Sequence, residues 1–275
     1  PEDRSVPRAL DRNMEALAGA SGDALGSSPV HRLDPRAKCV VTVLFVVAVT
    51  SFGRYDVSRL MPFVLYPVAI ATLSGVSAGS VAARTLAAAP FILLVGLFNP
   101  FFDRQVIVRI GGLAVTGGWM SFLSIAVRSF LAVSAAVLLV LTTRFDLLCA
   151  GLRKMCLPRV FVTQLEFLHR YIGLLAGEAQ RMVRAHDLRS NGNRPKLALV
   201  VYAPMIGLLL LRALDRATRV HRAMKARLFD GEIRVLRPLA FSRSDFLFIL
   251  AWGGYFLVCR FADVPGLLSG LAGVR

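Results

Sequence analysis

Apolar and polar positions along this chain follow two regimes. In one, charge-free runs of near-bilayer length recur; in the other, apolar residues return every three or four positions among arginines. A helix crossing a bilayer needs about 20 mainly apolar residues, because hydrocarbon offers backbone polar groups no water. Cys39 to Gly53 is the first such run, bounded by Lys38 and Arg54 and short unless its flanking cations snorkel outwards. Leu60 to Ala83 follows with Pro62 and Pro67 inside, then Thr85 to Phe102 with Pro90 and the helix-ending pair Asn99-Pro100. Ile110 to Thr143 is interrupted only by Arg128, and Gly111, Gly112, Gly117 and Gly118 predict a helix start near Trp119. Phe246 to Cys259 is the last, continuing past Arg260 into a weaker apolar tail, Val264 to Val274. Leu197 to Leu211 is ambiguous. Pro204 in its middle would remove a backbone bond and clash with the preceding turn, so it predicts an apolar approach over 197–203 and a new helix from Pro204 outside the bilayer. Five spans result, with six as the alternative.

The second regime occupies residues 144–237. After Pro158, Phe161, Leu165, Leu168, Ile172, Leu175, Ala179 and Met182 form one stripe. Ile206, Leu210, Ala213, Ala217, Val220, Met224 and Leu228 form another. Each predicts an amphipathic rod of some 25 residues, about 35–40 Å long, and a shorter helix over about 145–156 precedes both. The first rod stops at Leu188-Arg189-Ser190 before Asn191-Gly192-Asn193, the second at Ala226-Arg227-Leu228 before Phe229-Asp230-Gly231. An arginine at a helix C-terminus has two readings: ordinary complementation of the helix dipole, or a tip that enters an acidic groove on a partner and bonds a carboxylate bidentately.

Composition supports a membrane protein. Hydrophobic residues make up 56% and charged residues 18%, yet the formal net charge is +16, and the mean hydropathy is +0.61. Residues 144–243 carry 19 of the 33 cations and only 7 acids, which makes that segment cytoplasmic. Counting back through four spans puts the N-terminus inside too, with the plasma (inner) membrane crossed several times and loops 54–59 and 103–118 outside. The fold class is therefore all-α: a polytopic membrane protein of about five transmembrane helices plus long cytoplasmic helices. It divides into a cytoplasmic segment 1–36, four spans over 37–143, a cytoplasmic block 144–237, and a last span and tail over 238–275.

Several chemistries are disfavoured, a membrane-embedded enzyme with a basic cytoplasmic face remaining the alternative of another class. The basic block lacks the interleaved aromatics or fold signature of a nucleic-acid binder, so no nucleic-acid partner is expected. No Walker-type phosphate loop occurs, because the glycine pairs lack the lysine and the strand–helix setting. His31, His169, His186 and His221 are scattered, and Cys39, Cys149, Cys156 and Cys259 sit in or beside apolar stretches at no ligand spacing, so the chain is expected to hold no metal and no cofactor. Residues 1–36 are too polar for a signal peptide. A membrane-embedded transferase would need acids or histidines clustered within the spans, which contain almost none. A conventional ABC permease contacts its ATPase through one short coupling helix per subunit, unlike two long rods. Arg128 is expected to snorkel or to pair with Asp103 or a carbonyl, with a functional or partner-facing position as the alternative; Asn99-Pro100 to end a helix at the outer face, with a gating break as the alternative; and Asp245 to pair with Arg243 in the cap region at the entry of the last span.

Over about 30–262 the chain resembles the transmembrane T component of energy-coupling-factor transporters, within it the CbiQ branch of cobalt and nickel importers. The resemblance rests on Leu33-Asp34-Pro35-Arg36-Ala37-Lys38, Leu141-Thr142-Thr143, Leu157-Pro158, Arg170-Tyr171-Ile172 and the two helix ends, which in this family read Ala-Arg-Gly or a close variant. It implies a non-enzymatic coupling subunit bound to two ABC-type ATPases, which hold the ATP. It also implies a CbiM-like substrate-binding membrane subunit, often with a CbiN-like helper. Arg189 and Arg227 would then sit in grooves of the two ATPases, flanked by Leu188, Ser190, Ala226 and Leu228. Leu165, Leu168, Ile172, Leu210, Ala213, Ala217 and Val220 would form a scaffold under the binding subunit. Cobalt is the expected substrate, with nickel or a vitamin as alternatives.

Overall fold

The computed structural model describes residues 28–53, 56–97, 106–110, 113–155, 157–189, 198–231, 233 and 240–261. Asn99-Pro100, Asp103, Gly111-Gly112, Cys156, Ser190 and the apolar tail lie outside the described residues. The protein is an all-α polytopic membrane protein. Its helices are α1 (Pro29–Arg32), α2 (Pro35–Thr50), α3 (Val57–Leu60), α4 (Leu65–Ser74), α5 (Ala78–Leu86), α6 (Ala89–Leu97), α7 (Gly117–Thr142), α8 (Phe145–Lys154), α9 (Arg159–Arg189), α10 (Ala198–Ala226) and α11 (Arg243–Phe261). One departure interrupts them. Where only an outer loop was expected, β1 (Val106–Ile110) pairs antiparallel with β2 (Leu113–Thr116).

Among the described residues three helical stretches are long and apolar enough to cross a membrane: Val57–Ser74, Gly117–Thr142 and Arg243–Phe261. They match the second, fourth and fifth expected runs. The first run forms α2, of 16 residues, and the third contains the 9 residues of α6. The second run is not one helix, as its unbroken apolar character suggests. Gly75 adopts φ 70° after α4, its N–H bonding to the Thr72 carbonyl at 3.3 Å, a left-handed turn that glycine takes without a Cβ penalty. Ser77 then caps α5, its Oγ accepting from the Ser80 N–H at 3.2 Å. Pro62 falls in a tighter 3₁₀ turn, Met61–Val64, which joins α3 to α4.

The described chain forms two compact units, one from Gly22–Arg144 with Leu239–Arg275, the other from Phe145–Pro238. In the membrane unit, α2, α3, the 3₁₀ turn, α4, α7 and α11 share an apolar core of Val41, Phe45, Val49, Leu60, Phe63, Ile70, Leu138 and Phe256. Its centre is aromatic: Phe45 lies 4.6 Å from Tyr66 and 5.4 Å from Phe256, ring centre to ring centre, and Tyr66 meets Trp252 edge-on at 4.9 Å. The Tyr255 hydroxyl donates to the Pro62 carbonyl at 2.7 Å, satisfying an acceptor in the irregular turn. Val47, Val68, Leu247 and Leu250 remain exposed around this core, which suits a surface solvated by lipid tails.

In the second unit the described secondary structure is all helix: α8, α9 and α10. Its rods are longer than the stripes predict, at 31 residues for α9 and 29 for α10. The break expected at Pro204 is absent, because α10 starts at Ala198 and runs through the proline. Pro204 sits in the second turn, so it removes a single backbone bond, and six flanking residues on its N-terminal side keep the helix nucleated.

Candidate functional site

The rods lean on each other through one carboxylate. Glu178 on α9 accepts from Arg212 of α10 at 2.7 Å and from Arg181 at 3.0 Å, with Arg216 at 3.9 Å. Those hydrogen bonds hold its carboxyl below the usual glutamate range. Further along, Phe167 of α9 meets Phe229, just past α10, at 6.5 Å between ring centres. The C-terminal half of α10 thus lies against the N-terminal half of α9. Between them runs a groove of about 410 Å³ lined by Tyr171, Leu175, Ala213, Ala217, Val220 and Met224, among others.

This crossing divides the expected scaffold stripe. Ala213, Ala217 and Val220 turn towards α9 in the groove, and Leu165 is half-buried, whereas Leu168, Ile172 and Leu210 point outwards at 61%, 48% and 59% exposure. The crossing also separates the tips. The end of α10 lies beside Phe167, and Arg189 lies about 33 Å further along α9 at 1.5 Å per residue.

Both tips are bare. Arg189, Ala226 and Arg227 are exposed, and Leu188 and Leu228 are 85% and 91% exposed. Among the described residues neither arginine side chain has an ion-pair partner, so dipole complementation is the sole internal use of either. The end of α10 closes as a Schellman turn: the Phe229 N–H reaches the Met224 carbonyl and the Leu228 N–H the Lys225 carbonyl, each at 3.0 Å. That motif puts Leu228 at φ 58°, the left-handed region that favours glycine after a helix.

The chain leaving this tip is bonded to the foot of α9 and to α8. The Gly231 carbonyl accepts from Thr163 Oγ1 at 3.1 Å, and the Ile233 carbonyl accepts from Arg153 Nη1. Arg153 also holds Glu166 at 2.7 Å, both side chains being 12% exposed. Burial raises the Glu166 carboxyl above the usual range despite the pull of Arg153. Cys149 beside them is fully buried, and desolvation pushes its thiol up to about 11. His169 stacks on Phe145 with centres 4.2 Å apart.

Sequence reasoning missed a polar knot in the membrane unit. Lys38 does not snorkel; it is 4% exposed, and its Nζ donates to the Thr142 carbonyl at 2.8 Å and to Thr143 Oγ1 at 3.3 Å. It thereby caps the C-terminal end of α7, where free carbonyls and the helix dipole favour a cation. Asp34 caps α2, accepting from the Arg36 N–H at 2.9 Å, with Pro35 in the first turn. Asp245 does not pair with Arg243. One of its oxygens accepts from the Ser242 N–H at 2.7 Å, as in a capping box, and the other from the Asp34 N–H at 2.8 Å. Two of the motifs carrying the resemblance, at 33–38 and 141–143, therefore meet in space. Arg128 takes the carbonyl option, donating to Gly53.

Among the described residues no group of three or more His, Cys, Asp or Glu side chains could hold a metal ion. The arrangement offers mechanical coupling between helices and two charged tips.

Sequence comparison agrees with this architecture. The family model described as Cobalt transport protein, CbiQ, matches residues 26–237, most of the chain. The energy-coupling factor transporter transmembrane protein EcfT of Heliobacterium modesticaldum is 30% identical over 248 residues, covering 84% of this chain and 92% of that protein. EcfT of Thermosediminibacter oceani is 28% identical over 244 residues, covering 83% and 91%. The cobalt transport protein CbiQ of Rhodobacter capsulatus is 38% identical over 101 residues, covering 36% and 41%. These relatives are membrane components of transporters, not enzymes. The chain belongs to the CbiQ family, the transmembrane components of energy-coupling-factor transporters.

Proposed function

We propose that this chain is the coupling subunit of an importer, in which two cytoplasmic ABC-type ATPases each grip one rod tip. Arg189 with Leu188 and Ser190 enters a groove on one ATPase, and Arg227 with Ala226 and Leu228 enters a groove on the other. ATP binding and hydrolysis change the separation of the ATPases, and the Glu178-linked rods carry that displacement to a CbiM-like substrate-binding membrane subunit, with a CbiN-like helper alongside. Leu168, Ile172 and Leu210 offer that subunit an apolar face. The N-terminus lies in the cytoplasm and the chain spans the inner membrane, with the basic block of 144–243 on the ATPase side.

The observation that carries this reading is the pair of exposed arginines, without an ion-pair partner among the described residues, at two rod ends about 33 Å apart. One partner groove could not hold both. Cobalt is the favoured substrate, since both the family description and the Rhodobacter capsulatus relative are named for cobalt transport. Replacing Arg189 and Arg227 together by Glu should abolish co-purification with the ATPases and uptake of labelled cobalt, while the chain still reaches the membrane. Intact assembly and uptake in that variant contradict the proposal; uptake of nickel or a vitamin instead of cobalt revises the substrate alone.

A further inference from the structure

The groove between the rods is shaped to stay open. On α10, Ala213 and Ala217 fall one turn apart on the face turned to α9. Side chains this small do not fill the space that Phe167, Tyr171 and Leu175 wall off from the other side. A groove of about 410 Å³ results, and two of the residues lining it, Leu214 and Ala217, are exposed. Its α9 wall, residues 164–175, is about 16 Å long. That volume lies in the range of small-ligand sites, and apolar surface left open to water is stabilised by anything apolar that covers it.

One end of the groove is cationic. Arg216 lines it and comes within 3.9 Å of Glu178, the carboxylate that Arg212 and Arg181 also bond. Three guanidinium groups thus surround one carboxylate, a surplus of two positive charges. Their side chains are 40%, 52% and 67% exposed, so a second anion has access to N–H donors that Glu178 leaves over. Towards the other end lie Phe167 and Phe229, with Gln164 and His221 as the polar groups there. Both walls are helices whose backbone groups bond internally, so a peptide strand finds no ladder to join. A hydrocarbon chain needs none. The occupant that fits is an amphiphile with one anionic head and a slender apolar tail. Such molecules are at hand, because this unit begins at Phe145, two residues past the end of α7, a helix long and apolar enough to cross a membrane.

We propose that the groove between α9 and α10 binds an anionic phospholipid of the surrounding membrane. Its phosphate sits on Arg181, Arg212 and Arg216, and one acyl chain lies along Tyr171, Ala213 and Ala217. Bound there, the lipid braces the rods at their crossing through the same three arginines that Glu178 gathers. Anionic headgroups gain about 1 kcal/mol per arginine near a membrane surface, which makes the three-arginine end the source of lipid selectivity and the apolar groove the source of retention.

The test places the full-length chain in phosphatidylcholine nanodiscs containing a little phosphatidylglycerol with a photoreactive acyl chain, and maps the labelled peptides by mass spectrometry. No ATPase is present, so the result is independent of the coupling role. Labels should fall on the groove residues of α9 and α10, with labelling of the membrane helices as the internal reference. Unlabelled phosphatidylglycerol should suppress the groove labels about tenfold more effectively than added phosphatidylcholine. Glycerol phosphate, a head without a tail, should not compete. Ala217→Leu, which fills the groove, should cut groove labelling about tenfold, with rod helicity checked by circular dichroism, whereas Ala217→Ser leaves the space and should stay within about twofold of wild type. Arg216→Gln should lower capture of phosphatidylglycerol about fivefold and leave capture of a phosphatidylcholine probe unchanged. Equal competition by the two lipids, groove labels that persist in Ala217→Leu, or a groove without labels overturns the proposal. Competition by glycerol phosphate marks a plain anion site and overturns the lipid. Expulsion of the lipid by the substrate-binding subunit in the assembled transporter marks a protein occupant and overturns it as well.

Discussion

Lys38→Met tests whether the polar knot holds the membrane unit together. In the native chain the Lys38 ammonium is 4% exposed and donates to the Thr142 carbonyl at 2.8 Å and to Thr143 Oγ1 at 3.3 Å. Its field also reaches Asp34 and Asp245, which are 5% and 2% exposed. Methionine refills the volume of the lysine stem, so little packing is lost. The Thr142 carbonyl, however, is left buried without that donor, a penalty of about 1–3 kcal/mol. Two buried carboxylates also lose a compensating positive charge, which adds a cost of similar size. A net loss of about 3 kcal/mol lowers the thermal midpoint by roughly 6–12 °C, taking 2–4 °C per kcal/mol for a chain of this size. Tryptophan fluorescence of the full-length protein in detergent measures it, with the exposed Arg222→Met as a control expected to shift the midpoint by no more than about 2 °C. Combining Lys38→Met with Asp245→Asn should cost less than the sum of the two, because both break the same cluster. A midpoint for Lys38→Met within 1 °C or so of wild type would refute the assignment of Lys38 as a helix cap.

Three further outcomes follow from the helical unit of α8, α9 and α10. Leu228→Gly removes the left-handed strain, worth about 1 kcal/mol after the extra backbone entropy of glycine, and should raise the thermal midpoint of the isolated chain; a fall contradicts the strained-tip reading. Glu178 is held below the ordinary glutamate range by its arginines. Its contribution to the α9–α10 contact is thus complete above the unfolded pKa near 4.3 and lost as pH falls through the lower folded value. Fluorescence transfer between labels on the two rods should therefore stay constant from neutral pH to about 4.3 and drop only below it. Glu178→Gln should abolish that step, and opening at pH 5–6 would contradict the assignment. Cys149, fully buried with its thiol pushed up to about 11, should resist N-ethylmaleimide at pH 8 until the protein is denatured; labelling in the native state at the rate of a free thiol argues against its burial.

The rods were legible in the sequence because their order is local. Heptad-like spacing of Leu165, Leu168 and Ile172, and of Leu210, Ala213 and Ala217, specifies a helix without reference to the rest of the chain. The stops at Arg189 and Arg227 likewise depend on a few neighbouring residues. Pro204 misled because its penalty depends on how many turns precede it, and the apolar run from 197 gives no helix-start signal beyond its hydrophobicity. Gly75 was readable in principle, since Gly75 followed by Ser77 is a stop-and-cap pattern, but charge-free run length overrode it.

The knot and the bonds below the second tip were hidden for a different reason. Lys38 meets Thr142 across 104 positions and Asp34 meets Asp245 across 211, and Arg153 reaches Ile233 across 80. Periodicity carries no information at such separations. One signal was available: an Asp-Pro helix start followed by a lysine inside the first turn is an uneconomical way to enter a membrane unless that lysine has a fixed partner. The exposure of the tips was partly legible, because an arginine beside a leucine at a helix end is common, whereas its repetition on two rods is not.

Cross-linking from both tips of one assembly bears most directly on the coupling role. Cysteine placed at Leu188 and at Ala226 leaves both tip arginines in place, and a short cross-linker then reports what each tip touches in the intact transporter. Each position should capture an ATPase, the two captured copies should be different, and the doubly linked product should contain one copy of this chain and two ATPases. Capture of the same ATPase copy from both positions, or of none from either, contradicts the coupling role.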